Sequence, residues 1–198
     1  MSKFSVLDRL LDSNDGYVKT SEAVHAGVSR AHFGKYVRTR GLERVCHGLY
    51  MAAGAWDDGK YVIQNRYPEA VFSHETAAFL LGLADREPTQ YAVTLKAGTN
   101  ATGLTKDGIR VYKVKWELFG EGIISAKSHA GRDLRTYNAE RTICDLVRSR
   151  RNIDIQCFQT AIREYVRLKE KNIPLLMRYA RYFSVEKKIR HYLEVLLP

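Results

Sequence analysis

From Ser29 to His47 the chain sets out side chains suited to hydrogen bonding with a nucleic acid: Ser29, Arg30, Ala31, His32, Lys35, Arg38, Thr39, Arg44 and His47. Donors, two hydroxyls, a small methyl and two imidazoles match what base edges and phosphates offer. Arg30, Ala31, His32, Lys35 and Thr39 are expected at base edges, with Ala31 able to touch a thymine methyl. Ser29, Arg38, Arg44 and His47 are expected at phosphates. Residues 30–44 hold five Lys/Arg against one Glu, so the local field favours a polyanion. The competing reading is an ordinary helical corner with a solvated basic face.

Catalytic chemistry has no comparable grouping. His74-Glu75 lacks a second histidine four residues after the first, so HExxH is absent. His74 reads as a residue of a first helical turn and not as a zinc ligand. There is no GxxxxGK[ST] phosphate loop and no GxSxG elbow. Glu140, Arg141 and Asp145 fall on one helix, where Arg141 and Asp145 at i, i+4 make an exposed or half-buried ion pair. A nuclease would also need carboxylates converging from strand ends. The three cysteines, Cys46, Cys144 and Cys157, are far apart and odd in number, which argues against disulfides and CxxC-type zinc sites. The expectation is no catalytic residue, no metal and no cofactor.

The elements that must carry the Ser29–His47 group can be read from spacing. Thr20 can cap a short helix bearing Ala23 and Val24, and Gly27 sits where a chain leaves a helix with φ > 0. Val28 can plug the core and Ser29 can cap a second helix over Arg30–Arg40, ended by Gly41. Its apolar residues Phe33, Tyr36 and Val37 share one face. Leu42 to Cys46 and Leu49 to Met51 read as strands joined across His47-Gly48. Helix, turn, helix and ribbon together suit a winged helix-turn-helix.

Over 198 residues, 45% apolar and 27% charged content describes a folded chain of one or two domains. No apolar run is long enough to span a membrane and no secretory signal is visible, so a cytoplasmic location is expected. The net charge of +10 points to a polyanion partner. Most of it lies late: +4 on residues 110–160 and +5 on 161–198. Arg163 and Arg167 share a face of one helix, as Lys187 and Arg190 do on the last, and they form a candidate second nucleic-acid face. Its rival is a solubility surplus.

The expected architecture is α+β: a winged helix-turn-helix over residues 1–51, a linker over 52–60, and a mixed α/β domain over 61–198 that ends in a helical bundle. Trp56 could pin the linker to one side. In the second domain Ser73 is expected to cap a helix, Ala97 to Leu104 to be a flexible loop, and Asp107-Gly108 to be a hairpin turn before the strand Ile109–Lys115. Asn138 should cap a helix, Ile153–Lys169 should form another, and Val185–Leu197 the last.

Taken in order, GYVKTSEAVHAGVSRAHFGKYVRTRGLERVCHGLYM, RYPEAVFSHETAAFLLGL, AERTICDLVRSR, IQCFQTAIREYV and IPLLMRYARYFSVEKKIRHYLEVLL resemble the AbiEi family. These are the antitoxins of abortive-infection, type IV toxin–antitoxin systems. The resemblance implies an N-terminal winged helix-turn-helix that binds double-stranded operator DNA, expected as inverted repeats, and represses its own operon. It further implies a C-terminal domain that counters a nucleotidyltransferase-like toxin without a stable complex. Where relatives often have an arginine before the wing glycine, this chain has His47. Two alternatives remain: a metal-dependent nucleic-acid-processing enzyme, and a plain repressor with a ligand-sensing or dimerising C-terminal domain.

Overall fold

The computed structural model describes residues 2–196. Leu197, expected at the end of the last helix, lies outside the described residues. The chain divides into two compact units. The first runs to Pro68 and takes in Ser128–Arg132; the second comprises Glu69–Lys127 and the chain from Asp133 onward.

The first unit contains α1 (Lys3–Ser13), β1 (Tyr17–Lys19), α2 (Thr20–His25), α3 (Arg30–Arg40), β2 (Glu43–Cys46), β3 (Leu49–Met51) and α4 (Gly59–Arg66). Its strands form an antiparallel sheet in the order β1-β3-β2, with a register shift between Arg44 and Cys46. Leu7, Val18, Ala23, Val28, Phe33, Tyr36 and Leu42 make the core, to which α1, α2 and α3 each contribute apolar side chains. Thr20 is the first residue of α2 and not its cap; the Lys19 amide donates to Glu22 Oε2 at 3.2 Å. Gly41 adopts φ 62, a conformation costly for any residue with a Cβ, and turns the chain out of α3.

The expected linker over 52–60 is instead part of this unit. Asp58 is fully buried. Its Oδ1 accepts the Tyr61 amide at 3.1 Å and so caps α4. Its Oδ2 accepts from Ser128 Oγ at 2.6 Å and from Arg132 Nη1 at 3.2 Å. The Arg132 guanidinium lies 4.5 Å over the Tyr17 ring. The partners of Asp58 Oδ2 come from 70 residues away or more, so a small polar segment looked free when read locally. The Trp56 side chain is exposed, with its ring edge-on to His129 at 6.4 Å.

The second unit holds a five-stranded mixed sheet, β6-β5-β4-β8-β7. Its strands are β4 (Val71–Phe72), β5 (Ala92–Lys96), β6 (Arg110–Val114), β7 (Ile123–Lys127) and β8 (Asp133–Tyr137). The helices are α5 (His74–Leu80), α6 (Thr102–Lys106), α7 (Trp116–Phe119), α8 (Ala139–Arg148), α9 (Ile155–Arg167), α10 (Ile173–Tyr182) and α11 (Glu186–Leu196). The expected hairpin at Asp107-Gly108 is not one: β5 and β6 run parallel, Ala92 opposite Arg110. Parallel neighbours need a crossover, and α6 occupies it, taking residues from the expected flexible loop. Helix α8 is buried from Glu140 to Val147. The Arg141–Asp145 pair, expected to be exposed or half-buried, is sealed in the core at 3.0 Å. Asp154 caps α9, accepting amides of Gln156 and Cys157 at 2.9 Å each, so that helix starts at Ile155 and not at Ile153.

Candidate nucleic-acid interface

Helix α3 is built from both ends. Ser29 Oγ accepts the His32 amide at 3.4 Å, and the Gly41 amide returns to Arg38 O at 3.3 Å. Phe33 and Tyr36 are buried, and the Phe33 ring meets Tyr50 of β3 edge-on at 5.3 Å. The Tyr36 hydroxyl donates to Asp8 Oδ1 and Arg40 Nη2 donates to Asp8 Oδ2, both at 2.8 Å. These bonds tie α3 to α1 and commit Arg40 to the fold.

With that back face fixed, Ser29, Arg30, Ala31, His32, Lys35, Arg38 and Thr39 are all exposed on α3 and its cap. Arg44 and His47 are exposed on the β2–β3 hairpin. Two pairs within the set touch. Ser29 Oγ lies 2.9 Å from His32 Nδ1, and Arg44 Nη2 lies 3.0 Å from His47 Nδ1. Arg44 Nε also donates to Cys46 O at 3.3 Å, folding this side chain back over the hairpin turn. Gly34 sits one turn before Arg38, and a Cβ there would make an ordinary van der Waals contact with Arg38 Nη1 at 3.8 Å.

In the second unit Arg163, Arg167, Lys187 and Arg190 are exposed. Arg167 pairs with Glu164 at 2.7 Å and Arg190 with Glu186 at 3.1 Å. Both are solvent-exposed pairs within a helix, of the kind that contributes little. Arg163 Nε donates to Gln159 O at 3.3 Å. The apolar sides of the two helices meet through Phe158 and Tyr192.

Two further groups in that unit bear on chemistry. His74 has φ 53 and is buried, with its ring stacked on Tyr112 at 3.4 Å. Its Nε2 lies 3.0 Å from Ser149 Oγ and its Nδ1 lies 2.9 Å from Ser73 Oγ, which accepts from Thr94. Ser73 therefore makes no side-chain cap on α5. A serine against a histidine can be an activated nucleophile. Here burial, and then the charges of Arg141, Arg148 and Arg110, hold the imidazole well below its usual range. These contacts link α5 to Ser149, the residue that follows α8.

The second feature is a cavity of ≈ 410 Å³ bordered by Glu75, Pro88, Gln90, Arg110, Asp154 and Cys157. Arg110 crosses to Glu75 at 3.1 Å and to Asn152 O at 2.9 Å. Burial first, then Glu75 and Asp154, push the Cys157 thiol up to about 11, which keeps it protonated and unreactive. Among the described residues no group of three His, Cys, Asp or Glu side chains converges as metal ligands, and no helix is long and apolar enough to cross a membrane.

No family model matches the chain, and no curated protein matches it. A solved structure, that of the Rv2827c protein from Mycobacterium tuberculosis, is similar in fold, with a TM-score of 0.60 over 99% of this chain and 81% of that one. The two are 12% identical, so the likeness is one of fold.

Proposed function

We propose that the first unit is a winged helix-turn-helix whose α3 and β2–β3 turn bind operator DNA, and that the chain is an antitoxin that represses its own operon and counters a nucleotidyltransferase-like toxin. The observation that carries the DNA-binding part is the division of α3. One side is locked into the core and to Asp8, while the side chains of Arg30, Lys35 and Arg38 make no hydrogen bond or ion pair among the described residues. The adjoining hairpin offers Arg44 and His47 beside them. The antitoxin part is supported by the resemblance to AbiEi proteins in the stretches quoted above. In this reading Arg163, Arg167, Lys187 and Arg190 form a second nucleic-acid surface.

A footprint of the full chain on its own promoter tests the first part. Protection of inverted repeats is the expected result, and no protection at low salt overturns it. Growth rescue on co-expression with a nucleotidyltransferase-like toxin tests the second part. Reversing Arg163 and Arg167 to Glu should abolish that rescue while leaving the footprint. The ≈ 410 Å³ cavity supports one runner-up, a plain repressor whose second unit senses a ligand. That protein would bind its promoter and fail to rescue.

A further inference from the structure

Both histidines of the α3–hairpin surface are held through Nδ1, and we infer that each presents Nε2–H outward, so that His32 reads a guanine edge in the major groove. The inference rests on the DNA-binding reading above and adds to it the kind of base that is read.

At His47 the partner fixes the tautomer. A guanidinium has only donors, so the 3.0 Å contact from Arg44 Nη2 makes Nδ1 the acceptor. The ring hydrogen is then on Nε2. At His32 the partner is a hydroxyl, which can play either part, and the disposition of hydrogens decides. Ser29 Oγ already accepts the His32 amide. Donating its own hydrogen to Nδ1 across 2.9 Å satisfies hydroxyl and ring together. The opposite tautomer instead turns the hydroxyl hydrogen of exposed Ser29 out to solvent. The shared result is a ring pinned through Nδ1 on one side with Nε2–H as the donor on the other.

His32 lies in the first turn of α3 and is exposed. That is the part of a groove-bound helix whose side chains meet base edges. A lone N–H needs an acceptor. Guanine offers two adjacent ones, N7 and O6; adenine pairs its N7 with a donor; thymine O4 stands beside a methyl; cytosine shows a donor. Guanine is the best match and cytosine the worst. Arg38 can hold the helix against a phosphate but does not sort bases at this position.

The test is selection of binding sites from a random duplex pool by the full chain and by its H32A and H32Q variants. The native chain should enrich guanine at one position of each half-site. In H32A the preference at that position should fall about five- to tenfold, the value of one hydrogen bond, with flanking positions unchanged. H32Q should move it toward adenine, which a glutamine amide pairs bidentately. Because His32 is exposed, both variants should keep the native circular dichroism spectrum. If the native chain selects no duplex sequence, the DNA-binding reading falls. If it selects one and H32A selects the same with equal preference, or the affected position is thymine or cytosine, the histidine inference falls alone. A long-range nitrogen–proton correlation spectrum of the free protein gives an independent readout: Nε2–H on both rings is expected, and Nδ1–H on His32 overturns the inference.

Discussion

The two units each contain an arginine–aspartate pair of nearly equal length, and the pairs differ in almost everything else. In α8, Arg141 meets Asp145 at 3.0 Å with side chains 0% and 2% exposed. Between α3 and α1, Arg40 meets Asp8 at 2.8 Å with side chains 49% and 35% exposed. Burial pushes the Asp145 carboxyl up against the pull of Arg141. The Tyr36 hydroxyl, against the opposing effect of burial and with Arg40 adding to the pull, holds the Asp8 carboxyl low. Bond length alone therefore says little about what a pair does. The inner one is part of the core, enclosed by the Phe183 and Tyr137 rings at 3.9 and 4.3 Å and by the carbonyls of Leu118 and Glu121. The outer one orients α3, and the other cations of α3 stay unengaged.

The largest effect should come from breaking the inner pair. Arg141→Met leaves a buried carboxylate and two carbonyls without their donor. A loss of about 3–5 kcal/mol is expected, read as a lower urea midpoint. Replacing Asp145 as well, with Leu, should recover much of it, because two apolar groups of similar volume leave no orphan charge. Native-like stability in the single variant would show that the pair does not hold this unit together.

An intermediate effect, on binding and not on folding, is expected from the unengaged cations. Lys35→Ala with Arg38→Ala should leave the melting temperature unchanged and weaken operator binding. The slope of log affinity against log salt should drop by about one for each phosphate that is no longer neutralised. Equal affinity and slope with the fold intact would remove α3 from the interface.

The same contrast explains how much could be read from the sequence. The bounds of α3 were legible because Ser29 and Gly41 act on their own neighbours, and its apolar face follows from the spacing of Phe33, Tyr36 and Val37. The exposure of the basic face follows from the same periodicity. What escaped depends on distant partners. Asp58 and Lys60 sit in a stretch that looks like a linker, yet both are buried. Asp107-Gly108 looks like a hairpin, yet it ends a crossover helix. His74 carries no local sign of its left-handed backbone, nor of the Ser149 contact 75 residues away. The histidine contacts at Ser29 and Arg44 span three residues each, but the side-chain directions that make them are set by the fold.

The smallest effect should come from Asp8→Asn, and its pH dependence is the informative part. Asp8 is held below its ordinary value of 3.8. A carboxyl depressed in the folded state contributes stability above its unfolded value and loses it as pH falls through the folded one. At neutral pH the native chain should melt above Asp8→Asn, though by roughly 2 °C or less, because the pair is solvated and screened. Lowering the pH below 4 titrates every carboxylate in both proteins, so each melts lower. The difference between them isolates Asp8, since the variant has no proton to gain there. It should narrow as Asp8 becomes neutral and close at the acid end. A gap that stays constant from neutral to acid pH would mean that the amide perturbs packing and that the charge is irrelevant. A gap as large as that of Arg141→Met would erase the distinction between the two pairs and make the outer one part of the core.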